Sequence, residues 1–147
     1  MKTAYIYNIL QFVEWPSEKA EEKKNPFVVF VAGNDPVGDL LEELSKSPLE
    51  GRGLKIERCT DEVKPTPAAH IVFISRSLEQ QLPQIIRNLQ NRSVLTISDI
   101  SQFCKRGGVI GFVNDGGKIK IEINLRSARD LGCKIDARFL EIARIIQ

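Results

Sequence analysis

Residues 3–15, TAYIYNILQFVEW, carry polar side chains at Asn8, Gln11 and Glu14, three positions apart, so on a helix they form one narrow stripe. Tyr5, Ile6, Ile9, Phe12 and Val13 take the opposite face, and Tyr7, Leu10 and Trp15 widen it. This is more apolar surface than one contact covers. It predicts a helix docked on the body of the domain with area left over for a partner, and Tyr5, Tyr7, Phe12 and Trp15 are the residues expected at a docking or dimer contact. Pro16 ends the helix, and PSEKAEEKKN reads as a charged loop up to Asn25.

The period then changes. PFVVFVA (26–32) is a continuous apolar run rich in β-branched residues, the mark of a strand buried on both faces. HIVFIS (70–75) and SVLTIS (93–98) repeat it, and GLKIERC (53–59) alternates as a further strand. Helices are predicted between them: one capped by Asp35 with Pro36 first, one starting near Gln81, and a short one, DISQFCKRG, closed by Gly107. GVIGFV and KIKIEINL flank NDGG, a strong hairpin signal. The second arm alternates Ile119, Ile121 and Ile123 with Lys118, Lys120 and Glu122, so one of its faces meets water. RSARDLG makes a short helix ended by Gly132, and Asp136 caps ARFLEIARIIQ, with Arg138, Glu141 and Arg144 as its polar stripe.

Strand–helix alternation predicts an α/β fold: a mainly parallel sheet with helices on both faces and a C-terminal antiparallel hairpin strand at its edge. A chain of 147 residues with 42% hydrophobic content fits one domain, residues 1–147, with a real core. The net charge of +2 gives no electrostatic reason to expect nucleic acid. No run reaches the roughly 20 apolar residues of a membrane span, and the polar face of the first helix lacks the Lys/Arg cluster of a membrane-surface helix.

The tests for chemistry largely fail. GNDPVG sits where a phosphate loop would, yet Asp39 and Leu40 follow Gly38 where Lys and Ser/Thr are needed. A phospho-receiver domain shares the strand pattern, but the third strand ends Ile74-Ser75-Arg76 without a carboxylate, and the fifth ends Val113-Asn114 without a Lys. His70 opens a buried strand and reads as satisfied by backbone hydrogen bonds. Cys59, Cys104 and Cys133 lack metal-ligand spacing; their odd number allows at most one internal disulfide, and they read as buried thiols, with one disulfide as the alternative. No nucleophile–base pair assembles, so no catalytic residue, metal or cofactor is expected. The C-terminal block EINLRSARDLGCKIDARFLEIARI sets Asn124 at a strand end and Arg126, Arg129 and Arg138 on short helices near Glu141. These five residues are the expected partner-binding surface.

The opening AYIYNILQFVEWP resembles the A-Y-x-Y-N-x-x-x-F-V-x-W-P start of the YfiR-like family. VVFVAGNDPVGDLLEEL, HIVFIS, VLTISD, CKRGGVIGFVNDGGKIKIEINLRSARDLGCKID and RFLEIARI continue the likeness in order over the whole chain. The resemblance implies a secreted, homodimeric α/β repressor. Such a protein binds the periplasmic part of an inner-membrane diguanylate cyclase and restrains cyclic-di-GMP synthesis and biofilm formation. It also implies small aromatic ligands and redox control through disulfides. Here Ala68-Ala69 stand where the family commonly has a Cys before the His, which weakens the redox expectation. The family's secretion signal is missing, and Met1-Lys2 is read as a start added to a mature periplasmic protein. The alternative is a periplasmic module that binds an aromatic metabolite near the C-terminal ends of the parallel strands, without a cyclase partner.

Overall fold

In the strand β2 (Phe27–Ala32) successive side chains enter two different cores, which is why the run has no polar alternation. Val29 and Val31 join a cluster that includes Ile6, Ile9 and Leu10; Val28, Phe30 and Ala32 join one built around Leu82, Ile85 and Phe103. The structure, a computed structural model, describes residues 2–14, 26–44, 46, 53–60, 63, 69–89 and 92–146.

In chain order the elements are α1 (Lys2–Phe12), β1 (Val13–Glu14), β2, α2 (Val37–Leu44), β3 (Leu54–Cys59), β4 (Ile71–Ile74), α3 (Leu82–Leu89) and β5 (Leu95–Ser98). There follow β6 (Ile110–Asp115), β7 (Lys118–Asn124), α4 (Leu125–Leu131), β8 (Lys134–Ile135), α5 (Ala137–Glu141) and β9 (Ala143–Ile146). A 3-10 turn, Arg76–Gln81, leads into α3, and another, Cys104–Arg106, precedes β6. The main sheet has seven strands in the order β3-β2-β4-β5-β6-β7-β9. β3 through β6 run parallel, and β7 returns antiparallel to β6.

Most local signals act as predicted. Asp35 Oδ1 accepts the Val37 N–H at 2.9 Å and starts α2. Gly116 and Gly117, at φ +59° and +86°, supply the left-handed pair of the β6–β7 turn, which sets Asp115 opposite Lys118. Gly132, at φ +77°, closes α4. α1 and α2 pack into the first cluster and α3 into the second, so helices cover both faces of the sheet.

Three expectations need correction. α1 ends at Phe12 rather than Trp15: Val13 and Glu14 turn into β1 and pair antiparallel with Ile135 and Lys134. ARFLEIARIIQ is not one helix, because α5 stops at Glu141 and Ala143–Ile146 form β9. Consequently the hairpin arm β7 is not the sheet edge; β9 pairs parallel with it, Ile121 opposite Ala143 and Asn124 opposite Ile146. Trp15, the charged loop to Asn25 and Ala68 lie outside the described residues.

Candidate interaction surface

The two ends of the chain are knitted together. Beyond the β1–β8 pair, the Asp136 N–H donates to the Phe12 carbonyl at 2.8 Å. Phe12 stacks on Phe139 with ring centres 6.0 Å apart, and the Arg138 guanidinium sits 5.5 Å from the Phe12 centroid. Asp136 caps α5 through the Arg138 N–H at 2.8 Å and also grips the Arg138 Nε and Nη2 at 3.1 and 3.0 Å. That side-chain bond, helped by the backbone one, holds the Asp136 carboxyl below its ordinary value and raises Arg138 in turn. Two groups predicted separately, the helix aromatics and the C-terminal arginines, thus meet at Phe12 and Arg138.

The sheet edges differ sharply. At β3, Arg58 reaches across to Asp39 at 2.8 Å and Glu42 at 3.6 Å, its guanidinium lying over Gly38, and Lys55 adds a further charge. Charges of this kind discourage pairing with another strand. β9 is open by comparison. Its Arg144 is held to Glu122 at 3.4 Å, while Ile145 is 38% exposed and Ile142, just before the strand, 65% exposed. With Leu40 on α2, these are the exposed large hydrophobics among the described residues.

The large hydrophobics classed as exposed lie around β9 and on α2, whereas the aromatics of α1 keep part of their surface open. On α1, Ile6, Ile9 and Leu10 are buried, Tyr5, Tyr7 and Phe12 are half-buried against the first core, and the exposed positions are Ala4, Asn8 and Gln11. Tyr5 lies 5.9 Å from Phe112. Ile142 and Ile145 escaped sequence reasoning because the spacing of Arg138, Glu141 and Arg144 matched a helix; the β-branched pair Ile145-Ile146 was the signal for a strand.

Of the predicted partner residues, Arg126 and Arg129 on α4 and Arg138 and Glu141 on α5 are exposed. Asn124 is half-buried and works within the fold: its Oδ1 accepts the Ser127 N–H at 3.0 Å and its Nδ2 donates to the Cys104 carbonyl at 2.8 Å. None of Cys59, Cys104 and Cys133 is in a disulfide. Burial, with the Glu122 charge adding, pushes Cys104 up to about 12, and its Sγ lies 3.4 Å from the Glu122 carbonyl. Burial alone pushes Cys133 up to about 11. His70 Nδ1 accepts the Val28 N–H at 3.1 Å, as expected for a strand-end His held by backbone.

The crevice where the strand order reverses, between β2 and β4, is where open α/β sheets hold ligands. Here it is stitched shut. Ser75 Oγ donates to the Asn34 carbonyl at 3.1 Å, Ser77 Oγ accepts the Asn34 N–H at 3.3 Å, and a Cβ on Gly33 would meet that of Ser75 at 2.7 Å. Among the described residues no helix is long and apolar enough to cross a membrane. Set against known protein families, residues 1–144 match the one described as YfiR/HmsC-like.

Proposed function

The chain belongs to the YfiR/HmsC-like family, and on that footing we propose that it is a periplasmic regulator of cyclic-di-GMP signalling. In this reading it binds the sensor domain of an inner-membrane diguanylate cyclase and represses it, lowering cyclic-di-GMP and biofilm formation. It works by covering a surface and catalyses no reaction. The observation that carries the proposal is the C-terminal edge: Ile142 and Ile145 exposed beside an open strand, with exposed Arg138 and Arg144 close in sequence. An apolar centre rimmed by arginines is the composition of a protein-binding patch, and an edge strand with no outer neighbour among the described residues offers main-chain hydrogen bonds to a partner. Homodimerisation belongs to the same proposal.

The mechanism is linkage. If the protein binds the inactive cyclase ten times more tightly than the active one, saturation moves that equilibrium tenfold, a free-energy difference of about 1.4 kcal/mol. Deleting the protein should raise cyclic-di-GMP in its host, and a diguanylate cyclase should be retained from inner-membrane extract on the immobilised domain. Unchanged cyclic-di-GMP in a clean deletion overturns the proposal.

A further inference from the structure

β5 and β6 are joined over two pairs, Ile97 opposite Ile110 and Ser98 opposite Gly111. One residue earlier the ladder gives way to a side chain, where Thr96 Oγ1 accepts the Val109 N–H at 3.0 Å. Here the strands part, and a cleft of about 280 Å³ opens between α3 and α4 at the N-terminal ends of β5 and β6. This is the end of the sheet opposite the sutured β2–β4 crevice. Gly107 brings its turn against α3, since a Cβ there would stand 3.1 Å from Ile86 Cγ2. The volume is just below the usual range for ligand pockets, so the occupant is small.

The lining selects a class. Ile86, Leu89, Val94 and Leu131 make aliphatic walls, and no aromatic ring lines the cleft. Thr96, 5% exposed, stands at its buried end. The Thr96 oxygen is taken by Val109, while its O–H has no acceptor among the described residues, so a buried donor is left to be met. Asp130 stands at the exposed rim as the one charged group of the lining. It makes no ion pair or hydrogen bond among the described residues, and its α4 neighbours Arg126 and Arg129 do not line the cleft. The remaining hydroxyl, Ser127 Oγ, already donates to the Gly107 carbonyl at 3.5 Å. A donor deep among aliphatic walls and a carboxylate at the mouth match a molecule with an oxygen at one end, a short hydrocarbon body and an ammonium at the other.

We propose that this cleft binds a small aliphatic amino alcohol, its oxygen accepting from the Thr96 O–H and its ammonium paired with Asp130. No lining residue belongs to β9 or α5, so the site stands or falls apart from the cyclase proposal.

The test is an amide-resolved NMR titration of the whole chain with 5-amino-1-pentanol. Saturable shifts are expected at the amides of Thr96, Gly107, Val109, Ser127 and Asp130, with half-saturation below about 10 mM. Pentylamine, which lacks the oxygen, and 1-pentanol, which lacks the charge, should each bind about threefold more weakly or worse. Pentanoate, which brings a negative charge to Asp130, should not bind. Asp130→Asn changes an exposed side chain, so the rest of the spectrum should stay as it was. It should weaken both amines by about threefold or more and leave 1-pentanol unaffected. The proposal is overturned by the absence of saturable shifts at these amides, by pentylamine or pentanoate binding as tightly as the amino alcohol, or by undiminished amine affinity in Asp130→Asn.

Discussion

The guanidinium of Arg138 lies 5.5 Å from the centre of the Phe12 ring, so a residue near the end of the chain rests on the last residue of its first helix. The same ring stacks on buried Phe139. Phe12 is thus the structural half of the pair and Arg138 its solvent-facing cover. Phe12→Ala should destabilise the protein by about 2–3 kcal/mol, somewhat less than a fully buried Phe truncation, whereas Arg138→Ala should cost clearly less, its guanidinium being solvent-exposed. Urea unfolding of the two variants measures both, and equal costs would deny that the ring carries the joint.

The contact also has an acid signature. The folded Asp136 pKa is depressed, first by the Arg138 side-chain hydrogen bond. A depressed carboxyl contributes stability that is present above its unfolded pKa and is lost as pH falls through the lower folded value. Side-chain carboxyl shifts followed by NMR should place the Asp136 midpoint below the ordinary carboxylate range in the parent. Arg138→Ala should move it back upward only part of the way, because the cap from the residue-138 N–H remains.

Asn124 ties β7 to two other elements, α4 through Ser127 and the turn before β6 through the Cys104 carbonyl. Asn124→Ala removes a helix cap, about 1 kcal/mol, and leaves a carbonyl unpaired, about 1–3 kcal/mol more. Asn124→Ser keeps a cap and loses only the second bond, so it should fall between the parent and the Ala variant in thermal or urea unfolding. A partner-contact role alone would leave both variants as stable as the parent.

Thiol chemistry should separate Cys133 from Cys104. With pKa values pushed to about 11 and about 12, each is almost entirely protonated near neutrality, and the thiolate is the nucleophile. Iodoacetamide should label Cys133 roughly tenfold faster than Cys104 at pH 8, with burial of Cys104 widening the gap. Because the folded pKa values are raised, the protein holds more protons than the unfolded chain at alkaline pH. This stability is whole below the unfolded thiol value near 9 and is lost as pH climbs toward about 12. Unfolding free energies measured upward from pH 8 should therefore decline, and Cys104→Ala should flatten that decline while lowering stability at every pH.

The elements legible in the sequence are those whose signal is local. NDGG dictates its own turn, Asp35 its own cap, and the unbroken apolar runs of β2, β4 and β5 announce burial on both faces. What escaped depends on distant partners. Val13 and Glu14 become a strand only because Ile135 and Lys134 come alongside, and Ala143–Ile146 abandon helix because β7 offers Ile121–Asn124 as a ladder. The candidate surface follows the same division: the exposed arginines of α4 and α5 were readable from helical spacing, whereas the Arg138–Phe12 contact joins residues far apart in the chain.

The β9 edge yields the sharpest functional test. Ile145 is 38% exposed and its strand has no neighbour on the outer side among the described residues, so Ile145→Lys should leave the protein folded at a cost of about 1 kcal/mol. A lysine there places a strongly hydrated charge where a partner strand would have to approach, the same device that β3 uses at Lys55. Binding to the cyclase sensor domain should therefore weaken by tenfold or more, about 1.4 kcal/mol, and cyclic-di-GMP in a host carrying only the variant should rise toward the level of the deletion. Substituting Leu40→Lys on α2, also an exposed large hydrophobic but away from β9, should leave both readouts at parental values. If the two lysine variants behave alike, the partner does not dock at β9, and the arginines of α4 become the surface to mutate next.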